Sequence, residues 1–315
     1  MRPTRRQCQV ALGVIWLLCA ALQYQPFMFS RQFGSQALYP AGDGSPIWIS
    51  GPLHWSADLT ADHRILLNAV YATIQLLIAL GLFWRRTATA SLLFSLPWVL
   101  AVWWLGEGVG GLFAGAASPL MGYPGAVILY GVAAVLLLPS RSDSVVDSVA
   151  EGSPLGRLGS GTVWVLLWGG AVVEMLVPAD RTHDAVGSMV VGMGGGEPHW
   201  LASVNSSVGN AFLGHSDLIA FLVAAAMVLI AVAPFTPPAF ARSGLVLAVV
   251  LALGIWVVGQ DFGMIFTGTA TDPNTGPLLV LLAAIYWPGR VSAPARRTMS
   301  STALRRSADY SRITA

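Results

Sequence analysis

Apolar segments recur along this chain, near residues 8–28, 65–84, 88–106, 123–139, 162–178, 215–234, 243–259 and 277–288. Most run to roughly 20 residues, and a helix of that length, at about 1.5 Å per residue, crosses a bilayer core of about 30 Å. Backbone amides in lipid need partners within their own segment, so the pattern predicts an all-α membrane protein of about eight transmembrane helices. The last segment is the shortest and also admits a re-entrant element. Composition points the same way: 55% hydrophobic residues, 10% charged ones and a mean hydropathy of +0.66 suit a bilayer as solvent.

Charge sidedness then counts the crossings. The chain has no lysine, and all 17 basic residues are arginines. Basic residues near helix ends stay cytoplasmic during insertion. With eight crossings and a cytoplasmic N-terminus, only Arg31, Arg64 and Arg181 lie outside, against fourteen inside; without the eighth crossing the split becomes eight inside and nine outside. The rule therefore favours eight crossings of the plasma membrane, with both termini cytoplasmic. The net charge of +2 conceals this polarity and gives no reason to expect nucleic acid as a partner. The arginine-rich tail reads either as a contact with membrane lipid or as a solvated segment that enforces topology. The N-terminal MRPTRRQ and its apolar run resemble a signal peptide, but no small-x-small site follows, so the segment is expected to be retained. Cys8 and Cys19 both lie in this first segment, where disulfide chemistry is not expected.

Comparing the chain with itself is more informative. A slide of 152 or 153 residues superposes Trp16 on Trp168, Pro26 on Pro178 and His63 on His215. It also superposes Gly106, Gly110, Phe113, Gly115 and Ala117 on Gly259, Gly263, Phe266, Gly268 and Ala270. In the outer loops, His54-Trp55 resembles His199-Trp200 at a slide of 145, which implies seven extra residues in the second copy. The expectation is a tandem duplication of a four-helix unit. Both copies hold an even number of spans, so they share one orientation, related by an axis along the membrane normal. The divisions are residues 1–139 for the first repeat, 140–160 for a cytoplasmic linker, 161–289 for the second repeat and 290–315 for a basic cytoplasmic tail.

The unit has a long first outer loop, a second helix ending, in the first copy, in a Gly-Leu-Phe-x-Arg turn (Gly81 to Arg85), and a third helix running into a glycine-rich segment. In this it resembles the DoxX-like family of small four-helix membrane proteins. The tracts from Gly106 to Phe113 and from Gly268 to Pro277 also resemble segments of uncharacterised actinobacterial multipass membrane proteins. The DoxX-like resemblance implies a role beside quinone-linked or thiol-oxidising membrane redox systems. It carries over no catalytic residue, and the chain departs from thiol chemistry in having no paired cysteines.

All five histidines map to the outer side. His63 and His215 are the first candidate pair for copper, zinc or haem iron; His183, Met189, Met193 and His199 form an alternative set whose thioethers suit cuprous copper. The structural reading is that His63 and His215 cap helices while His54 and His199 orient Trp55 and Trp200 at the lipid interface. No compact spacing such as HxxxH or HxH decides between them.

Glu107, its counterpart Gln260, and Asp261 stand at the outer ends of the third and seventh segments. A carboxylate at a membrane boundary needs hydration or a partner, so these are candidate ligand-binding residues or acceptors for glycine-loop amides. Glu174, near the outer end of the fifth segment, is a further boundary carboxylate. Glycines at spacing four, such as Gly106/Gly110 and Gly259/Gly263, read as close helix packing or as irregular backbone lining a cavity. The run Asp272 to Pro277 reads as a turn opening the eighth helix with proline in its first position, and is assigned no chemistry. No Walker A, Rossmann, HExxH or GxSxG motif occurs. Three functions remain: an accessory or ligand-binding subunit (quinone, haem or metal) of an envelope redox system, with envelope membrane proteins as partners; a small-solute or ion carrier, against which the scarcity of deep polar residues beyond Gln23, Gln25 and Gln75 argues; and a structural protein docking envelope partners through its outer loops.

Overall fold

The computed structural model describes residues 2–115, 117–140, 147–177 and 181–289. Pro178, residues 141–146 of the linker and the basic tail lie outside the described residues. All regular structure among those described is helical. In chain order the helices are α1 (Arg5–Leu22), α2 (Ile47–Asp62), α3 (Arg64–Phe83), α4 (Ala88–Leu105), α5 (Ala126–Leu137), α6 (Gly156–Met175), α7 (Ala185–Met193), α8 (His199–Phe212), α9 (Ser216–Val232), α10 (Pro238–Val258) and α11 (Thr275–Ile285).

Five of these, α3, α4, α6, α10 and α9 with its following turn, are long and apolar enough to cross a membrane. Only about a third of each is buried within the protein, so residues such as Leu77, Phe94, Leu166, Leu222 and Val250 turn apolar side chains outward. A water-soluble chain would not expose such stripes on successive helices; lipid accommodates them. The chain is a membrane protein. α5 and α11 are shorter, at 12 and 11 residues, and apolar on all sides; they pack against each other at the centre. Around them α1 packs on α3, α3 on α4 and α4 on α5, while α6 packs on α9, α9 on α10 and α10 on α11.

α1 starts at a capping box in which Thr4 accepts from the Gln7 amide while the Gln7 side chain accepts from the Thr4 amide, so two orphan donors are satisfied at once. At this end of the bundle the Arg5 guanidinium donates to the carbonyls of Leu136, Leu138, Val149 and Gly152, and Arg6 donates to those of Leu82 and Phe83. The two arginines thus serve carbonyls that α5 and α3 leave without intrahelical partners at their C-terminal ends.

The long outer loops are themselves helical. α2 and α8 each follow a proline, Pro46 and Pro198, and each carries a tryptophan against a phenylalanine. Trp48 meets Phe113 at 5.2 Å and Trp200 meets Phe266 at 6.0 Å, both edge-on. A second register for these loops thereby emerges: Pro46 and Trp48 match Pro198 and Trp200 at a slide of 152, the same as the flanking segments. That register would need no seven-residue insertion and would set His54, within α2, apart from His199, the first residue of α8.

The glycine tracts also differ from expectation. Gly106 and Gly259 end α4 and α10, and the glycines beyond them are not on a helix face. Residues Gly108, Val109, Gly110 and Gly111 all take positive φ (55°, 59°, 65° and 70°), as do Asp261, Phe262, Gly263 and Met264 (45°, 58°, 76° and 57°). Each tract is one left-handed turn, a conformation that L-residues normally visit singly and at a cost of about 1–2 kcal/mol each. Four in succession, including the β-branched Val109, persist only where surrounding contacts enforce them.

Candidate functional site

Those contacts come from the segment entering the last helix of each half. Trp103 Nε1 donates to the Pro124 carbonyl at 2.9 Å and Trp256 Nε1 to the Pro273 carbonyl at 2.7 Å. One helical turn on, Glu107 accepts from the Val127 amide at 3.1 Å, and Gln260 Nε2 donates to Thr275 Oγ1 at 2.8 Å. Each tryptophan lies in the last turn of its helix, and Glu107 or Gln260 lies just past the capping glycine, so the two side chains together clasp the first turn of the neighbouring helix. The residue after each proline, Gly125 or Asn274, has positive φ (99° and 60°). At Gly125 the reason is space: an added Cβ would lie 2.4 Å from Glu107 Oε2 and 3.1 Å from Trp103 Nε1. A carboxylate accepting from the first turn of α5 is also favoured by the helix dipole.

Glu107 therefore does not bind glycine-loop amides; it caps α5. Asp261 accepts from Asn205 Nδ2 at 2.7 Å, both side chains buried, so Asn205, which fits a glycosylation pattern, has its amide turned inward. α11 opens at Thr275, not Pro277, with the Asn274 side chain accepting from the Thr275 amide at 2.7 Å.

Two voids adjoin Glu107. One, of about 170 Å³, lies within the first half between the far ends of α1, α3, α4 and α5. The other, of about 280 Å³, lies among the glycine-rich segments. Gly106, Glu107 and Asp272 line both. Asp272 reaches this place from the second half, held by Thr271 Oγ1 at 2.9 Å and the Asn274 amide at 2.6 Å. The first void is walled by Trp16, Tyr71, Trp98 and Tyr130. Trp16 packs on Tyr130 with ring centroids 4.4 Å apart, and the Tyr130 hydroxyl meets Cys19 Sγ at 2.8 Å.

Three polar atoms on this wall, Trp16 Nε1, Gln23 Oε1 and Gln75 Oε1, are buried without a hydrogen-bond partner among the described residues. Their residues are 2%, 4% and 8% exposed. A buried polar group left unpaired costs about 1–3 kcal/mol, so one donor and two acceptors on a single wall give this void a polar character suited to hydrogen bonding. Burial, with Asp272 nearby, pushes the Glu107 carboxyl up to about 8 against the opposing pull of the Val127 amide. Burial raises Asp272 as well. Both carboxyls hold protons more tightly folded than unfolded, so stability is greatest at acid pH and falls as pH rises from about 4.5 toward 8. In detergent, the melting temperature should decline over that window, and Glu107→Gln should flatten the decline by raising the pH 8 value. An unchanged slope in Glu107→Gln would show that Glu107 ionises freely.

The histidines are dispersed by comparison. His63 and His215 occupy the junctions before α3 and α9, exposed and without side-chain capping bonds, so the capping reading is not met. His54 stacks on Tyr39 at 3.8 Å with its Nε2 4.0 Å from Asp43, rather than orienting Trp55. His183 and His199 are exposed, His199 lying 3.5 Å from Ser203 Oγ, while Met189 packs partly into the core and Met193 is half-buried. Among the described residues no three His, Cys, Asp or Glu side chains gather as a metal site. Sequence reasoning singled out Glu107, noted Gln23 and Gln75 only as rare deep polar residues, and missed Asp272, Cys19, Tyr130 and Trp16 as members of one site. The available signal for Asp272 was its position five residues before the start of a candidate span at 277–288, the same boundary argument that singled out Glu107.

Comparison with known proteins finds no matching family model, no matching curated protein and no matching solved structure.

Proposed function

We propose that this is an eight-span plasma-membrane protein made of two parallel DoxX-like four-helix repeats. On this reading it holds a quinone-type ring in the cavity of its first repeat, as a ligand-binding subunit of an envelope redox system. The spans are α1, α3, α4, α5, α6, α9, α10 and α11, with both termini cytoplasmic. The duplication is supported by the paired Trp–Pro bonds, the paired left-handed turns and the Trp–Phe contacts, all related by slides of 149 to 153 residues.

The observation that carries the ligand reading is the aromatic void with its three unpartnered polar atoms and two carboxyls. A cavity of about 150 Å³ holds benzene, so about 170 Å³ suits a single ring better than a haem. The Trp16 N–H suits a quinone carbonyl, the Glu107 carboxyl, neutral below about pH 8, can donate to the other, and the acceptors Gln23 Oε1 and Gln75 Oε1 suit the hydroxyls of the reduced quinol. Metal binding finds no ligand set among the described residues. A proton-coupled carrier is the second reading, favoured by two carboxyls that face both voids.

Quinones quench nearby indoles, so titrating the detergent-solubilised chain with a one-isoprene benzoquinone should quench Trp16 and Trp98 fluorescence saturably. Glu107→Ala or Trp16→Phe should weaken the apparent affinity about tenfold, the loss expected for one good hydrogen bond to a buried partner. Linear, unsaturable quenching identical in all three proteins would sink the quinone reading.

A further inference from the structure

The two repeats share their scaffold but not the chemistry of their interiors. Carrying the repeat correspondence through the cavity sets Cys19 against Ala171, Gln75 against Met227, Glu107 against Gln260, Asp272 against Tyr123 and Tyr130 against Leu279. Ala171, Met227 and Gln260 are all buried, at 5%, 1% and 1% exposure. Each thiol, amide or carboxyl of the first interior is thus met by an apolar or neutral group in the second. Trp168 alone keeps its counterpart's unpartnered indole N–H. Met227 at the place of Gln75 is telling, because a flexible thioether side chain fills irregular space that a polar ligand would need.

Gln260 is nearly isosteric with Glu107 and retains the task of clasping the last helix through Thr275, so the structural duty survives where the charge is lost. Asp272 belongs to the second repeat by sequence and lines the void of the first, while its counterpart Tyr123 crosses the other way and sets its hydroxyl against Gly170 of α6, so the crossing is shared and only its carboxyl is peculiar to the first interior.

From these differences we infer that each chain carries one ligand site of this kind, in its first repeat, and that the matching place in the second repeat has become packed support, while the second repeat lends the site Asp272. This rests on the ligand reading above and goes beyond it in fixing stoichiometry, location and the contribution from across the repeats.

Native mass spectrometry and equilibrium titration of the full chain in detergent, with the one-isoprene benzoquinone as probe, test it. The expected result is one quinone per chain, an affinity at least tenfold weaker in Asp272→Asn, an affinity for the corresponding benzoquinol, whose hydroxyl can donate to Gln75 Oε1, at least tenfold weaker in Gln75→Leu, and no change in Met227→Leu. Gln75 has no side-chain bond to lose, so its variant keeps the fold and the test remains sharp even if Asp272→Asn disturbs its turn. Two quinones per chain overturn the inference while leaving the ligand reading standing, as does a single site that responds to Met227→Leu and not to Gln75→Leu. Absence of binding in every protein overturns the ligand reading and this inference together.

Discussion

Gly110→Ala is expected to yield little folded protein, whereas Gly115→Ala should fold and melt within a few degrees of the parent. Both glycines sit at nearly the same left-handed φ, 65° and 68°, so intrinsic backbone strain, about 1–2 kcal/mol for a non-glycine residue, is common to both. They differ in space. A Cβ at Gly115 meets nothing within 4 Å, while one at Gly110 lies 2.1 Å from the Pro124 carbonyl oxygen and 2.6 Å from its carbon.

That carbonyl cannot retreat, because it accepts from Trp103 and leads directly into the turn that Glu107 clasps. Relief requires α4 and α5 to part at their most closely fitted point, at a cost of about 4 kcal/mol or more. Gly263→Ala should behave alike, its Cβ falling 2.6 Å from the Pro273 carbon and 2.7 Å from the Asp272 oxygen. Yield of monodisperse protein and thermal melting in detergent give the readout. Equal melting of the Gly110 and Gly115 variants would refute the close approach.

The second large effect is expected at Arg5. Its guanidinium serves four carbonyls, two at the end of α5 and two in the segment that leads to α6. Replacing it with methionine keeps most of the stem and removes the donors. Hydrogen bonds from a charged group contribute about 1.5–3 kcal/mol each, and carbonyls near the interface recover part of that from water, so a net loss of about 3–5 kcal/mol is expected. Arg5→Lys should recover less than half, since a compact ammonium cannot reach four acceptors spread as the planar fork reaches them. Faster proteolysis of residues 147–155 should accompany the loss of thermal stability. If Arg5→Lys is as stable as the parent, the forked geometry is irrelevant.

The long helices were readable in the sequence because each is an uninterrupted apolar run, and α3, α4, α9 and α10 fall within a few residues of expectation, apart from the earlier start of α10. Helices α2 and α8 were not, since their mixed polar and apolar residues lack a long apolar run, and the similarity of His54-Trp55 to His199-Trp200 suggested one register of the two segments. Side-chain contact favours another, because Trp48 meets Phe113 and Trp200 meets Phe266. The glycine spacing was visible but its meaning was not: spacing four suits a helix face, and only backbone angles reveal a left-handed turn. Glu107 stood out as a lone boundary carboxylate. Asp272 lay hidden in a run whose Pro, Asn and Gly residues spelled an ordinary turn, and its arrival in the other half's cavity depends on the packing of α5 against α11, which no local pattern encodes.

The brevity of α5 and α11 has a consequence for how anything reaches Glu107. At about 1.5 Å per residue the two central helices measure about 18 and 17 Å, little more than half of a hydrocarbon layer about 30 Å thick. On the eight-span reading, their first turns and the carboxyls beside them end below the headgroups, with taller helices standing around them. For a ligand read as a quinone, that depth favours a molecule dissolved in lipid over one confined to water, so its occupancy would follow its mole fraction in the bilayer more closely than its aqueous concentration.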